Sequence, residues 1–141
     1  MKYVLLDASV MVALFNVNEV HHNLYREKIR TSQSEGTHMV STWPCVTEAS
    51  YHLSPTGHIV MLKWLAASVM IDEMTVADLP QMVDYMERYT EPRKILMDFA
   101  DASLVLLAIK LDCNKILTED RRDFLRYRLP DGRGFEVVCN E

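Results

Sequence analysis

YVLLDASVMVALF, residues 3–15, sets the frame for the rest of the chain. Tyr3 to Leu6 is continuously apolar, as a strand covered on both faces requires. Asp7 ends that run, and Ala8 to Phe15 reads as a helix starting there. A carboxylate at the end of a buried strand is costly unless something pairs with it. The arrangement recurs near the other end, where Lys115 to Leu117 is a strand running into Thr118-Glu119-Asp120. Between the two, strands and helices alternate. Glu19 to Ser34 is an amphipathic helix, His38 to Ser41 a strand, and Pro44 opens a helix at the position proline favours. Ser54-Pro55-Thr56-Gly57 is a turn signal, followed by a helix over His58 to Ala67 and a strand over Ser68 to Ile71. Thr75 to Tyr89 is a helix whose Thr75 and Asp78 resemble a capping box. Phe99 to Leu111 is the most apolar helix and is expected at the centre. Phe135 to Val138 is a last strand after the Pro130-Asp131-Gly132 turn. Such alternation implies an α/β fold with a parallel sheet and helices on both faces, and ligands bind at the carboxyl ends of such strands.

With 141 residues, 49% of them hydrophobic, the chain is expected to form a single domain over residues 1–141 with a full core. A net charge of −5 excludes a generally basic nucleic-acid coat, yet Arg121 to Arg133 holds five arginines against two aspartates. Cys45, Cys113 and Cys139 have no zinc-type spacing, so reduced thiols in a cytoplasmic protein are the simplest reading. Asp7 interrupts the apolar start, so it is not read as a signal peptide. No stretch reaches the roughly 20 apolar residues of a membrane span. Trp43 and Trp64 are expected in the core or an interface, and the histidines at the surface.

Five acids stand where apolar segments end or helices begin: Asp7, Glu48, Asp98, Asp101 and Asp120. Each has an ordinary explanation. Asp7, Asp98 and Asp120 suit helix caps, and Glu48 suits the early turns of a helix. Asp98 and Asp101, three apart, are neighbours on one helix face and repel unless a cation or proton intervenes. Taken together, the acids imply one site for a hard divalent cation, Mg²⁺ or Mn²⁺, and hence phosphodiester chemistry. Ser9 and Thr118 flank the acids and are placed to hydrogen-bond them, with local capping as the competing role. Glu119 and Asp112 read as solvated charges.

VLLDASVMVALF, VTEASYHL near residue 50, MDFADASLVLLA near 100 and ILTEDRRDF near 120 resemble, in order and spacing, the PIN-domain ribonucleases. The short format resembles the VapC toxins of toxin–antitoxin pairs. The resemblance implies a Rossmann-like three-layer α/β/α fold with a central parallel sheet. It implies a catalytic quartet of Asp7, Glu48, Asp101 and Asp120, with Asp98 as a further metal ligand and Asp123 and Thr118 as auxiliaries. It also implies an RNA substrate, an antitoxin partner and a homodimer, for which Met61, Met70, Met74, Met82 and Met86 offer apolar surface or core. Arg121, Arg122, Arg126 and Arg128 are expected to rim the site, Arg93 and Lys94 to face them, and Tyr127 to stack on a base. Two other classes compete. A receiver-type phosphotransfer domain also gathers acids at strand ends, but no lysine stands at a strand end to complete it. An interaction module would bind metal or a basic partner without turnover.

Overall fold

Strand order decides where a site can form in this molecule. The computed structural model of the chain describes residues 1–91 and 96–138. Its strands are β1 (Tyr3–Leu6), β2 (His38–Ser41), β3 (Val69–Ile71), β4 (Lys115–Leu117) and β5 (Glu136–Val137). They form one sheet in the order β3-β2-β1-β4-β5, and every pairing is parallel. β1 lies in the middle, with Leu5 opposite Val40 on one side and Ile116 on the other. Leu5, Leu6, Val40 and Ile116 are fully buried, which is why these strands read as unbroken apolar runs. The chain winds outward from β1 to β3, then returns to place β4 on the other side of β1. That reversal is a topological switch point, where such sheets open a crevice at their carboxyl edge. Asp7 follows β1 and Thr118 to Asp120 follow β4, so they flank this crevice. The Asp7 N–H donates to the Leu117 carbonyl at 3.1 Å and ties the two ends together.

The helices are α1 (Ala8–Phe15), α2 (His22–Ser34), α3 (Trp43–Tyr51), α4 (Pro55–Ser68), α5 (Leu79–Tyr89), α6 (Phe99–Leu111) and α7 (Arg121–Phe124). They complete a three-layer α/β/α arrangement. α6 is central, as its composition implies: every residue from Ala100 to Ala108 is buried. Polar groups inside are paired, with Thr42 and Ser103 hydroxyls 2.6 Å apart and Ser41 Oγ donating to the Leu6 carbonyl at 2.7 Å. The bounds of β1, α1, β2, α6 and β4 follow the sequence reading.

The differences have local causes. α2 starts at His22 rather than Glu19, because turn bonds Glu19 N–H to Asn16 O and His22 N–H to Glu19 O occupy the preceding residues. The Ser54-Pro55 signal opens α4 itself: Ser54 Oγ accepts the Gly57 N–H at 3.1 Å, and Pro55 takes the first helical position. A 3-10 turn over Val76–Asp78 precedes α5, and Thr75 and Asp78 form the expected capping box, with Asp78 Oδ2 accepting the Thr75 N–H at 3.1 Å. β5 is shorter than expected. The Pro130–Gly132 turn is present, with Gly132 at φ 92° as only glycine adopts readily.

Candidate metal centre

Asp7 caps α1 through Oδ1, which accepts the Ala8 N–H at 2.8 Å. Its Oδ2 accepts the Thr118 hydroxyl at 2.6 Å and the Ser9 hydroxyl at 3.0 Å. The cap and the hydroxyl contacts read from the sequence are therefore both present. Burial raises the Asp7 pKa, and these donors work against that rise.

Asp98 caps α6 by accepting the Asp101 N–H at 2.8 Å, which leaves Asp101 in the first turn. Asp101 is only 6% exposed, and its Oδ2 accepts the Tyr127 hydroxyl at 2.7 Å. Burial pushes its pKa up to about 8; the Tyr127 bond opposes this, and the charges of Asp98, Asp7 and Asp120 add to it. Asp120 makes no cap hydrogen bond at the start of α7, so the capping role does not account for it. Partial burial, then its bond to and the charge of Asp123, push it up to about 7.

Asp101, Asp120 and Asp123 each present a carboxylate oxygen within 4.8 Å of the others'. Asp7, Asp98 and Glu48 are not part of that compact set, though Asp7 and Asp98 act on Asp101, Asp120 and Glu48 through their charge. Glu48 is exposed and lies past the first turn of α3. It lines two clefts. One, of about 440 Å³, includes Ser9, Glu19, His52 and Glu119. The other, of about 470 Å³, includes Asp98, Trp43 and Phe99. Burial, with Asp98 and Asp7 following, raises the Glu48 pKa.

The donor set fits a hard cation. Among the described residues, no lysine, arginine or histidine forms an ion pair with Asp7, Asp98, Asp101 or Asp120. Clustered like charges around a buried carboxylate need a proton or a cation. The offered atoms are all oxygens, the ligands Mg²⁺ and Mn²⁺ prefer. Cys45 beneath the site is no competitor, since burial holds its thiol far above the ordinary range.

The expected basic rim is only partly realised. Arg121 and Arg122 are exposed. Arg126 turns inward: it lies 3.8 Å from Asp123, donates to the Tyr89 carbonyl at 3.4 Å and stacks 5.5 Å over the Tyr127 ring. Its Nε is buried without a partner among the described residues. Arg128 is exposed, but its Nη1 folds back on the Leu125 and Tyr127 carbonyls. Tyr127 is fully buried and cannot stack on a base, which corrects the role expected for it. Arg93, Lys94 and Cys139 lie outside the described residues.

Trp43 is half-exposed rather than core, whereas Trp64 packs against Phe15 with ring centroids 5.5 Å apart. Of the methionines, Met61 and Met82 are buried, Met74 and Met86 pack on the core, and Met70 is exposed. Glu119 is more than a solvated charge. It accepts the Tyr25 hydroxyl at 2.6 Å and the His21 Nδ1–H at 2.8 Å, while its N–H donates to Ser9 Oγ. This clamps α2 to the loop that carries Asp120. The partners lie over 90 residues apart, so no local pattern announces the clamp.

No curated protein matches the sequence. Among solved structures, VapC20 of Mycobacterium tuberculosis, described as a sarcin-ricin loop cleaving toxin, is similar with a TM-score of 0.67. It is 17% identical, over 85% of this chain and 92% of that one. VapBC2 of Rickettsia felis, described as bound to a DNA fragment from its promoter, has a TM-score of 0.68 at 13% identity, over 99% of this chain and all of that one. At these identities the likeness is one of fold. The sequence itself matches the PIN domain over residues 4–129. With its parallel sheet and its acids at the switch point, the chain belongs to the PIN domain family.

Proposed function

We propose that this chain is a divalent-metal-dependent endoribonuclease, built as one PIN domain over residues 1–141, and the toxin of a VapBC-type pair. The observation that carries this reading is Asp101. It is buried with no cationic partner among the described residues, and it meets Asp120 and Asp123 within 4.8 Å at the switch point. The toxin part draws on the two similar structures, one described as a sarcin-ricin loop cleaving toxin and the other as VapBC2 bound to a DNA fragment from its promoter. On the same basis an antitoxin is the expected partner, a homodimer the expected assembly and the cytoplasm the expected compartment. Among the described residues, no helix is long and apolar enough to cross a membrane.

In this mechanism Asp101, Asp120, Asp98 and Asp7 hold Mg²⁺ or Mn²⁺ directly or through water, and Asp123 supports Asp120. When bound, the ion lowers the pKa of a water and offsets charge on the phosphate. The chain's own groups do the rest. Thr118 donates to Asp7 and accepts the Asp120 N–H at 2.8 Å, so one hydroxyl sets the spacing of two acids. Ser9 does the same between Asp7 and the Glu119 backbone. Glu48, exposed and lining a cleft that Asp98 also lines, would accept a proton from the attacking water. Arg121 and Arg122 contact the RNA backbone, and Arg126 acts on Asp123 rather than on phosphate. Products with a 5′-phosphate and a 3′-hydroxyl are expected; a 2′,3′-cyclic phosphate would rule the water route out.

A binding module without turnover is the second reading. It is favoured by Asp7, whose two oxygens already accept three donors. Cleavage of a mixed RNA pool with Mg²⁺ or Mn²⁺ separates the two, with Asp7→Asn, Asp101→Asn and EDTA beside wild type. Metal-dependent cleavage lost in both folded variants supports the nuclease. A folded wild type that cuts nothing, or variants that cut equally, leaves the module.

A further inference from the structure

We propose that Tyr127 is a positioning residue of the metal centre, whose buried hydroxyl fixes Asp101 so that one carboxylate oxygen faces the cation. The inference rests on the reading of Asp101 as a metal ligand and names the group that aims it. Tyr127 has no exposed surface, and its hydroxyl donates to Asp101 Oδ2 at 2.7 Å. A phenylalanine would fill the same apolar space without the cost of burying a hydroxyl, so the hydroxyl is there for its bond. Tyr127 engages Oδ2 alone, and Oδ1 accepts no side-chain hydrogen bond among the described residues.

The ring is held on several sides. Phe124 packs edge-on at 5.1 Å between centroids and Tyr89 at 5.2 Å. Phe124 is backed by Phe135 at 5.5 Å, and the Arg126 guanidinium lies 5.5 Å over the Tyr127 ring. A donor on so fixed a ring sets the carboxylate's direction and does not follow it. The eight residues from Asp120 to Tyr127 thus supply two acids of the compact set and the hydroxyl that orients the third. Groups of this kind behind a metal ligand typically govern 10- to 100-fold in metal affinity or activity.

Tyr127→Phe keeps the ring and removes the donor. Tyr89→Phe is its control, because it removes a hydroxyl from the same aromatic cluster that accepts the Arg128 N–H and does not touch Asp101. Mn²⁺ is titrated calorimetrically into each folded, metal-free protein. The expected result is Mn²⁺ binding weakened about 10- to 100-fold in Tyr127→Phe and unchanged in Tyr89→Phe. RNA cleavage by Tyr127→Phe should then recover as Mn²⁺ is raised. Wild-type affinity in Tyr127→Phe, or equal weakening in both variants, overturns the assignment. If Tyr127→Phe does not fold, wild type carrying ¹³C at the tyrosine ζ carbon is titrated with Mg²⁺. A shifted Tyr127 resonance supports the role, and a silent one refutes it. A wild type that binds no Mn²⁺ removes the metal reading itself, and this inference with it, whereas failure at Tyr127 alone leaves the nuclease reading intact.

Discussion

Asp7 and Asp101 are both almost fully buried, both end up at the same crevice, and their environments are opposite. Asp7 is filled from within: one backbone N–H and two hydroxyls donate to it. Asp101 has one side-chain donor, Tyr127, and otherwise faces other carboxylates. A saturated carboxylate belongs to the scaffold whatever else it does. An under-donated one stores unfavourable charge that only a proton or a cation relieves. The contrast separates a hinge-pin acid from a receptive one inside a single acidic patch.

The largest expected effect breaks the receptive side. Asp101→Asn should lower metal-dependent RNA cleavage about 10³-fold, the equivalent of several kcal/mol of charge stabilisation. The same change should leave the metal-free protein as stable as wild type or more so, because an amide needs neither a proton nor a cation to sit among the other acids and its oxygen can still accept the Tyr127 hydroxyl. Asp7→Asn should also abolish cleavage but should destabilise the metal-free fold, since an amide offers only one oxygen to three donors. Thermal unfolding of both metal-free variants reads the contrast; equal stability changes would erase it.

Thr118→Val tests the saturated side through the hydroxyl that also holds the Asp120 backbone. It removes the 2.6 Å bond to Asp7 and the acceptor for the Asp120 N–H, at an expected cost of about 1–3 kcal/mol in denaturant unfolding. No change would mean that Thr118 is dispensable for holding the two strand ends together.

The pH dependence follows from the receptive side. The folded pKa values of Asp101, about 8, and Asp120, about 7, lie above their unfolded values near 3.8. The folded state therefore binds more protons between those limits. Stability from these groups is highest at acid pH and falls as pH rises from about 4 to 8. The metal-free Tm should drop from pH 5.5 to 8.5, and saturating Mg²⁺ should restore more at the upper end. A Tm that is flat across this range with and without Mg²⁺ would show that the acids are not held together as described.

The smallest effect is at the rim. Replacing Arg121 and Arg122 by Ala should reduce the salt slope of RNA binding by about 1.4, roughly 0.7 per lost phosphate contact on a single strand. An unchanged slope across a salt series would take the two arginines out of the interface.

How much of this was legible in the sequence depends on how local the signal is. β1, β4 and α6 are set by continuous apolar runs, and Asp7, Asp98 and Asp120 by the junctions that end them. The clustering of acids at one edge follows once strands alternate with helices. What one residue does to another far along the chain is not written locally. Tyr127 sits in an arginine-rich stretch that suggests a wet surface, and its partner lies 26 residues upstream. The spacing of Phe124 and Tyr127 is the one hint that this stretch has an inward face. The inward turn of Arg126 is hidden for the same reason, and an apolar residue at a helix start such as Trp43 gives no clue to whether it faces core or surface.

The burial of α6 over nine consecutive residues has a consequence in time as well as in space. Its amides should exchange with solvent only when the whole molecule unfolds, whereas the loop and four-residue helix carrying Asp120 and Asp123 should open locally and often. A cation joining Asp101 to those acids would stitch a slow element to a fast one. Deuterium uptake over residues 119–123 should then slow on adding Mg²⁺ while uptake in α6 stays unchanged, so that occupancy of the site is recorded by its exposed loop rather than by its core.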